Sequence, residues 1–200
     1  FDHSGCRAAL ARVGRIVLVD AATGKLLGER KLPDQVLDLS FSPDDATIAV
    51  AGYYRNAYLL DGRTLDVVQR LMGHQDVVDS VRWNSDGSRL ITTSRDATVR
   101  VWTVDQHGTY STLSTGMQGL TMAAFMPDGQ HVVVVGERVR RFPLEHARVL
   151  RGHASFVYHL AFSPDGTMLA SSGFRDRDVH VWDLGRGRER CRVGAPATGE

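Results

Sequence analysis

The sequence predicts an all-β fold made of repeated four-stranded antiparallel sheets, and three observations carry that prediction. An aromatic residue precedes a Ser-Pro-Asp-Gly-like turn at Phe41, Trp83, Phe125 and Phe162, at spacings of 42, 42 and 37 residues, and Phe1 fits 40 residues before the first. Between these turns lie short apolar runs of about four to eight residues that alternate or are β-branched, the pattern of strands rather than helices. The most regular units open on Gly-His (Gly73-His74, Gly152-His153) and close on a strand that carries Trp102 or Trp182-Asp183. A sheet of this kind has apolar surface on both faces and needs neighbours. A period near 40 residues is therefore the sign of β-propeller blades, of which about five are visible, the first incomplete.

The turn chemistry fits that reading. In Ser163-Pro164-Asp165-Gly166 the proline fixes φ at the second turn position, and the glycine takes the left-handed conformation of a G1-type bulge. Residues 1–32 read as a partial unit: a strand from Arg7 to Ala11, a turn through Val13-Gly14, a strand from Arg15 to Asp20, and an outer edge strand from Lys25 to Leu32 whose charges discourage edge-to-edge pairing. In residues 33–72, Pro33-Asp34 stands for Gly-His, Leu60-Asp61 for Trp-Asp, and Gly52 to Asn56 turns between the second and third strands. Residues 73–116 are the most regular unit, with an outer loop at Asp105 to Gly108. Residues 117–151 are degenerate, with Gln118-Gly119 and Phe142-Pro143 at the signature positions and Val132 to Val135 as a fully apolar strand suited to burial on both faces. Residues 152–193 repeat the full pattern, and 194–200 read as a tail.

Two Gly-His pairs in register with two tryptophans and four aligned turns are a specific signature, and on them the chain resembles the WD-repeat β-propeller family over nearly all its length. The resemblance implies a propeller that usually closes with seven blades, so the chain reads as one propeller segment of a larger protein rather than a self-contained five-blade ring. It also implies a network of polar side chains in each blade. In the third unit the matching residues are His74, Thr92, Asp96 and Trp102; in the fifth they are His153, Ser171, Asp176 and Trp182. The buried indole N–H can only donate, so it needs the Ser or Thr oxygen, which can pass a hydrogen bond on to histidine and thence to aspartate. The fifth unit has one residue more between its Ser and Asp, so Ser172 or a bulge at Phe174-Arg175 is the alternative there.

A Ser/Thr-His-Asp set also invites a hydrolase reading. Here the hydroxyl belongs to a strand interior, no Gly-x-Ser-x-Gly elbow is present, and the set occurs twice beside a Trp, as architecture would and an active site would not. No catalytic residue, cofactor or metal site is expected. The eight histidines are scattered without zinc-ligand spacing, and His180 reads as an exposed or half-buried strand residue. Net charge is +1, which argues for neither nucleic acid nor membrane; the Arg186, Arg188, Arg190, Arg192 run reads as a solvated turn and edge strand. Cys6 and Cys191 are expected free, which favours a reducing, cytoplasmic compartment. Arginine far outnumbers lysine (only Lys25 and Lys31), a bias that points to a GC-rich bacterial genome.

By the same resemblance, partners bind where the blade-to-blade loops converge. The variable positions there are Gln35, Leu37, Val77, Asp79, Gly119, Thr121, Phe156 and Tyr158, with Arg95 and Arg175 just before the network aspartates, and the Tyr53-Tyr54-Arg55 loop faces the same way. The expected partner-binding face is Tyr53, Tyr54, Arg55, Arg95, Phe156, Tyr158 and Arg175, rich in the Tyr and Arg that dominate hot spots. The alternative is that Phe156 and Tyr53 pack between blades. The function expected is a non-catalytic scaffold for a protein or peptide partner, or else the regulatory propeller of a bacterial signalling enzyme, a protein kinase or signalling ATPase, whose catalysis lies outside this chain.

Overall fold

Nineteen short strands and no helix make up the described residues of the computed structural model, which are 1–12, 14–104, 110–114, 119–143, 148–150, 157–173 and 178–194. They form five antiparallel meanders distributed over two units. The first unit, residues 1–116, holds three sheets. Blade 1 has three strands, β1 (Arg7–Arg12), β2 (Arg15–Asp20) and β3 (Leu26–Lys31). Blade 2 has β4 (Val36–Phe41), β5 (Thr47–Gly52), β6 (Ala57–Asp61) and β7 (Val67–Leu71). Blade 3 has β8 (Val78–Trp83), β9 (Arg89–Ser94), β10 (Thr98–Thr103) and β11 (Tyr110–Ser114). The second unit, residues 117–200, holds blade 4, with β12 (Met122–Phe125), β13 (His131–Val135), β14 (Val139–Pro143) and β15 (Arg148–Leu150), and blade 5, with β16 (Val157–Phe162), β17 (Met168–Gly173), β18 (Asp178–Asp183) and β19 (Arg188–Gly194). These sheets are β-propeller blades, and the first lacks one strand of the four, as the repeat spacing predicts.

The turn after each aromatic is built the same way in every blade. The residue that follows the aromatic bonds across the hairpin, as in Ser42 N–H to Thr47 O (2.8 Å), Asn84 N–H to Arg89 O (3.0 Å), Met126 N–H to His131 O (2.8 Å) and Ser163 N–H to Met168 O (3.0 Å). Gly87, Gly129 and Gly166 then take φ between 63° and 75°. Asp45 fills the same place in blade 2 at φ 59°, tolerable for an aspartate because its short side chain suits the left-handed region. The hairpin on the outer side of the blade is closed by an aspartate: the N–H four residues on bonds back to Asp20 O, Asp61 O and Asp183 O (2.8, 2.9 and 2.8 Å). Each of those carboxylates also accepts an N–H inside its turn. That is the work of the Asp in the Trp-Asp pair and of its equivalents Asp20 and Asp61.

Burial follows the strand period of two. Along β5, Ile48 and Val50 join Ile16, Leu18, Tyr58, Leu60 and Leu65 in a core between blades 1 and 2. Ala49 and Ala51 face the other way and join Leu59, Val78, Val81, Leu90 and Trp102 between blades 2 and 3. Small alanines on one blade accept the Trp102 indole of the next, which is how adjacent twisted sheets reach interior packing density. In the second unit Val133, Val135, Leu169, Trp182 and Leu184 form one such core, and Val132 to Val135 are all fully buried. Cys6 and Cys191 are exposed free thiols. Among the described residues no helix is long and apolar enough to cross a membrane.

Candidate functional site

The four polar residues of blade 3 meet inside the sheet. Trp102 Nε1–H donates to Thr92 Oγ1 (2.9 Å), Thr92 Oγ1 lies 2.7 Å from His74 Nε2, and His74 Nδ1 lies 2.9 Å from Asp96 Oδ2. Burial holds the His74 pKa below its ordinary value, against the raising effect of Asp96, so the ring is neutral. A neutral ring beside a carboxylate carries its proton on Nδ1, which leaves Nε2 to accept the Thr92 hydroxyl. Burial opposes the Asp96 charge, yet the Thr98 hydroxyl, the Gln75 N–H and His74 outweigh it and hold that carboxyl at about 2. Thr92 is fully buried and His74 nearly so. A nucleophile in this position has no access to a substrate.

In blade 5, Trp182 Nε1–H donates to Ser171 Oγ (2.7 Å), so the acceptor is Ser171 and not Ser172. His153 and Asp176 lie outside the described residues, as does the Phe174-Arg175 bulge. His180 is buried, not exposed or half-buried as its alternation implied. It sits two residues before Trp182 on the same face of β18, stacks against that indole (centroids 5.6 Å, 14°) and has Nδ1 3.4 Å from Glu189 Oε1. Blade 2 solves the same problem with other residues, which the sequence did not disclose. Asp34, at the place of His74, is buried; its Oδ1 accepts the Tyr54 N–H (2.9 Å), and its Oδ2 lies 3.4 Å from the Tyr58 hydroxyl. The available signal was Pro33-Asp34 in the Gly-His position, with an acceptor-seeking Tyr58 two residues before Leu60.

Asp34 thereby positions the loop between β5 and β6. Gly52 N–H bonds to Asn56 O and Tyr53 N–H to Gln35 O (both 2.9 Å), and Arg55 takes φ 71°. Tyr53 and Tyr54 emerge 43 % and 64 % exposed, edge to face with centroids 5.7 Å apart. Tyr53 therefore does not pack away between blades. In blade 3, Arg95 N–H makes the corresponding bond to Val77 O (3.0 Å), so Arg95 occupies the Tyr53 position of the next blade. Its guanidinium pairs with Asp79 (3.1 Å), whose pKa burial raises against the lowering effect of Arg95. Val77 is buried at 6 % exposure, and the Thr121 hydroxyl donates to Val157 O (2.8 Å), so these two positions are used inside the fold rather than offered at the surface. Phe156 and Arg175 lie outside the described residues. Tyr158 falls within β16, and its side chain lies outside the described set. No group of three His, Cys, Asp or Glu among the described residues is arranged to hold a metal ion.

Comparison with known proteins matches the model of the WD domain, G-beta repeat, at residues 65–103 and 144–183. Transducin beta-like protein 3 of Rattus norvegicus is 30 % identical over 208 residues, covering 91 % of this chain and 25 % of that protein. WD repeat-containing protein 1 of Xenopus tropicalis is 25 % identical over 171 residues, covering 80 % of this chain and 28 % of that protein. The 77 kDa echinoderm microtubule-associated protein of Lytechinus variegatus is 25 % identical over 209 residues, covering 86 % and 32 %. The chain thus spans about a quarter to a third of the length of these curated relatives. All three are eukaryotic, and they lend no support to a bacterial signalling enzyme. With its period, its blades and these matches taken together, the chain belongs to the WD-repeat family.

Proposed function

We propose that this chain is a non-catalytic interaction module that docks a partner protein or peptide on the strand ends carrying Tyr53, Tyr54, Arg55 and Arg95. The observation that carries the reading is a pair of exposed tyrosines, held edge to face on a loop fixed by the buried Asp34. Such rings present large contact area with little conformational entropy left to lose on binding, and Arg beside them adds donors for carboxylates and carbonyls. The His74-Thr92-Asp96 set supports the non-catalytic part, since its hydroxyl is buried and already accepts the indole N–H. A relative named for association with microtubules fits a role in macromolecular binding.

The test is retention of partner proteins by the immobilised chain. Tyr53→Ala with Tyr54→Ala and Arg95→Ala removes side chains that protrude, so the melting temperature should stay within about 2 °C of the parent, as surface substitutions generally do. Retention should fall at least tenfold, the loss expected from a hot-spot cluster. Val68→Ala on the outer strand β7, an exposed apolar position at the other side of the blade, should leave retention unchanged. Undiminished retention by the triple variant rules this face out.

A further inference from the structure

The turns after Phe41 and Phe125 each form a groove with the following blade, at the end of the strands opposite to the β5–β6 or β13–β14 loop. One residue marks the same place in three of the blades. Gly62 N–H bonds to Ala46 O (2.7 Å), Val104 N–H to Ser88 O (3.0 Å) and Leu184 N–H to Thr167 O (3.0 Å), each two residues after Leu60, Trp102 or Trp182. In two of the three, the carbonyl of that residue accepts a guanidinium from the preceding blade. Arg7 Nη1 donates to Gly62 O (2.5 Å), with Nη2 on Asp45 O (3.1 Å). Arg141 Nη1 donates to Leu184 O (2.7 Å) in a groove of about 360 Å³.

In the groove between blades 2 and 3 the described residues supply no such cation. The blade 2 position that corresponds to Arg7 is Thr47, and that of Arg141 is Leu59. Among the described residues no arginine reaches Val104 O. What lines this groove, about 340 Å³, is Pro43, Asp44, Thr47, Trp83, Asp86 and Val104. The Trp83 N–H is already committed to Ser40 O (3.0 Å), which leaves its ring carbons as a wall. Asp44 is capped by the Ser42 hydroxyl (2.5 Å) and Asp86 by the Ser88 N–H (2.7 Å), and neither forms an ion pair among the described residues. Both carboxyls are held below their ordinary pKa by these hydroxyl and N–H donors, so both are charged at neutral pH.

We propose that the groove between blades 2 and 3 binds an arginine side chain presented by a partner polypeptide. The guanidinium takes the place that Arg7 and Arg141 fill elsewhere, donating to the Val104 carbonyl and pairing with Asp44 and Asp86. Its methylene stem lies along Pro43 and Trp83, where a planar cation also gains from the indole face. An Arg is preferred to a Lys because its fork can reach a carbonyl and two carboxylates at once. This site is separate from the tyrosine loop, and its test does not depend on that face.

The experiment titrates the full chain, labelled with nitrogen-15, with N-acetyl-arginine methylamide and follows the Trp83 indole N–H resonance. In parallel it uses the lysine compound and the neutral citrulline compound, which keeps the shape and loses the charge. The proposal expects a saturable shift at Trp83, with the Trp102 and Trp182 indoles unmoved, and at least tenfold weaker binding of the citrulline and lysine compounds. Asp44→Asn with Asp86→Asn should weaken arginine binding at least tenfold. Thr47→Arg should abolish it by supplying the cation from the chain itself, and serves as the second variant should the aspartate pair prove needed for folding. Equal binding of citrulline, equal binding of lysine, no saturable shift, or unimpaired binding by Thr47→Arg would each overturn the assignment.

Discussion

Thr92 has a single hydroxyl, and the blade uses it twice: it accepts from Trp102 and donates to His74. Thr92→Val keeps the shape and removes both bonds, leaving a fully buried indole N–H and a ring nitrogen without a partner. An unmet buried group costs about 1–3 kcal/mol, so the melting temperature should fall by at least about 2–4 °C in a chain of this size, read by calorimetry. A melting temperature within error of the parent contradicts the network. The ionisation of its members gives a second reading at the same scale. His74 is held below its ordinary 6.5, so the unfolded chain takes up that proton first, and stability falls as pH drops below about 6.5. Asp96 is held at about 2, so the stability it lends is complete above about pH 5 and is lost as pH falls from there toward 2. Urea midpoints measured against pH should therefore show two declining steps. His74→Gln should remove the upper one, and Asp96→Asn should shrink the lower one, to which Asp2, also held at about 2, contributes as well; an upper step that survives His74→Gln, or a lower step that Asp96→Asn leaves at full size, belongs to other groups.

Among the elements, the outer hairpins show how packing and backbone preference compete. Leu65 occupies the left-handed position that Gly24 and Gly187 fill in other blades, at φ 62°, and yet it is fully buried in the core between blades 1 and 2. Truncating it costs about 2–5 kcal/mol of packing, whereas the left-handed conformation costs a non-glycine residue about 1–2 kcal/mol. Leu65→Ala and Leu65→Gly should both destabilise the chain. Leu65→Gly should melt higher than Leu65→Ala, the reverse of the order in an ordinary strand or helix, because only glycine is released from the strain. Comparison of the two melting temperatures checks this, and the usual order would show that the backbone relaxes. The hairpins themselves were legible in the sequence because a turn and its flanking strands are written in consecutive residues: Ser-Pro-Asp-Gly, an aromatic before it, an aspartate at the outer end. His180 and Asp34 were not legible in the same way. Their burial depends on the strand beside them and on the Trp182 or Tyr58 that shares their face, and no local pattern records which neighbour a strand will meet. Asp45 replaced a glycine without changing its turn, which is why the period survived in blade 2 despite the loss of the signature residues.

At the scale of the whole molecule, the repeat assigns its polar residues to two kinds of work. Those inside the blades, His74, Thr92, Asp96, Asp34 and Ser171, satisfy buried donors and fix loops. Those at the strand ends, Tyr53, Tyr54, Arg55 and Arg95, are exposed, and they are the residues that the proposed function assigns to a partner. In this division a Thr-His-Asp set that resembles catalytic machinery serves a buried indole N–H, and the strand-end residues vary from blade to blade while the framework repeats. The most direct measurement places the photo-crosslinking residue p-benzoylphenylalanine at Tyr54 in one version of the chain and at Val68 on the outer strand in another, then compares covalent adducts formed with partner proteins. Adducts that form at position 54 and not at position 68 are the result expected of a docking face at the strand ends. Adducts confined to position 68, or equal at both, would contradict it.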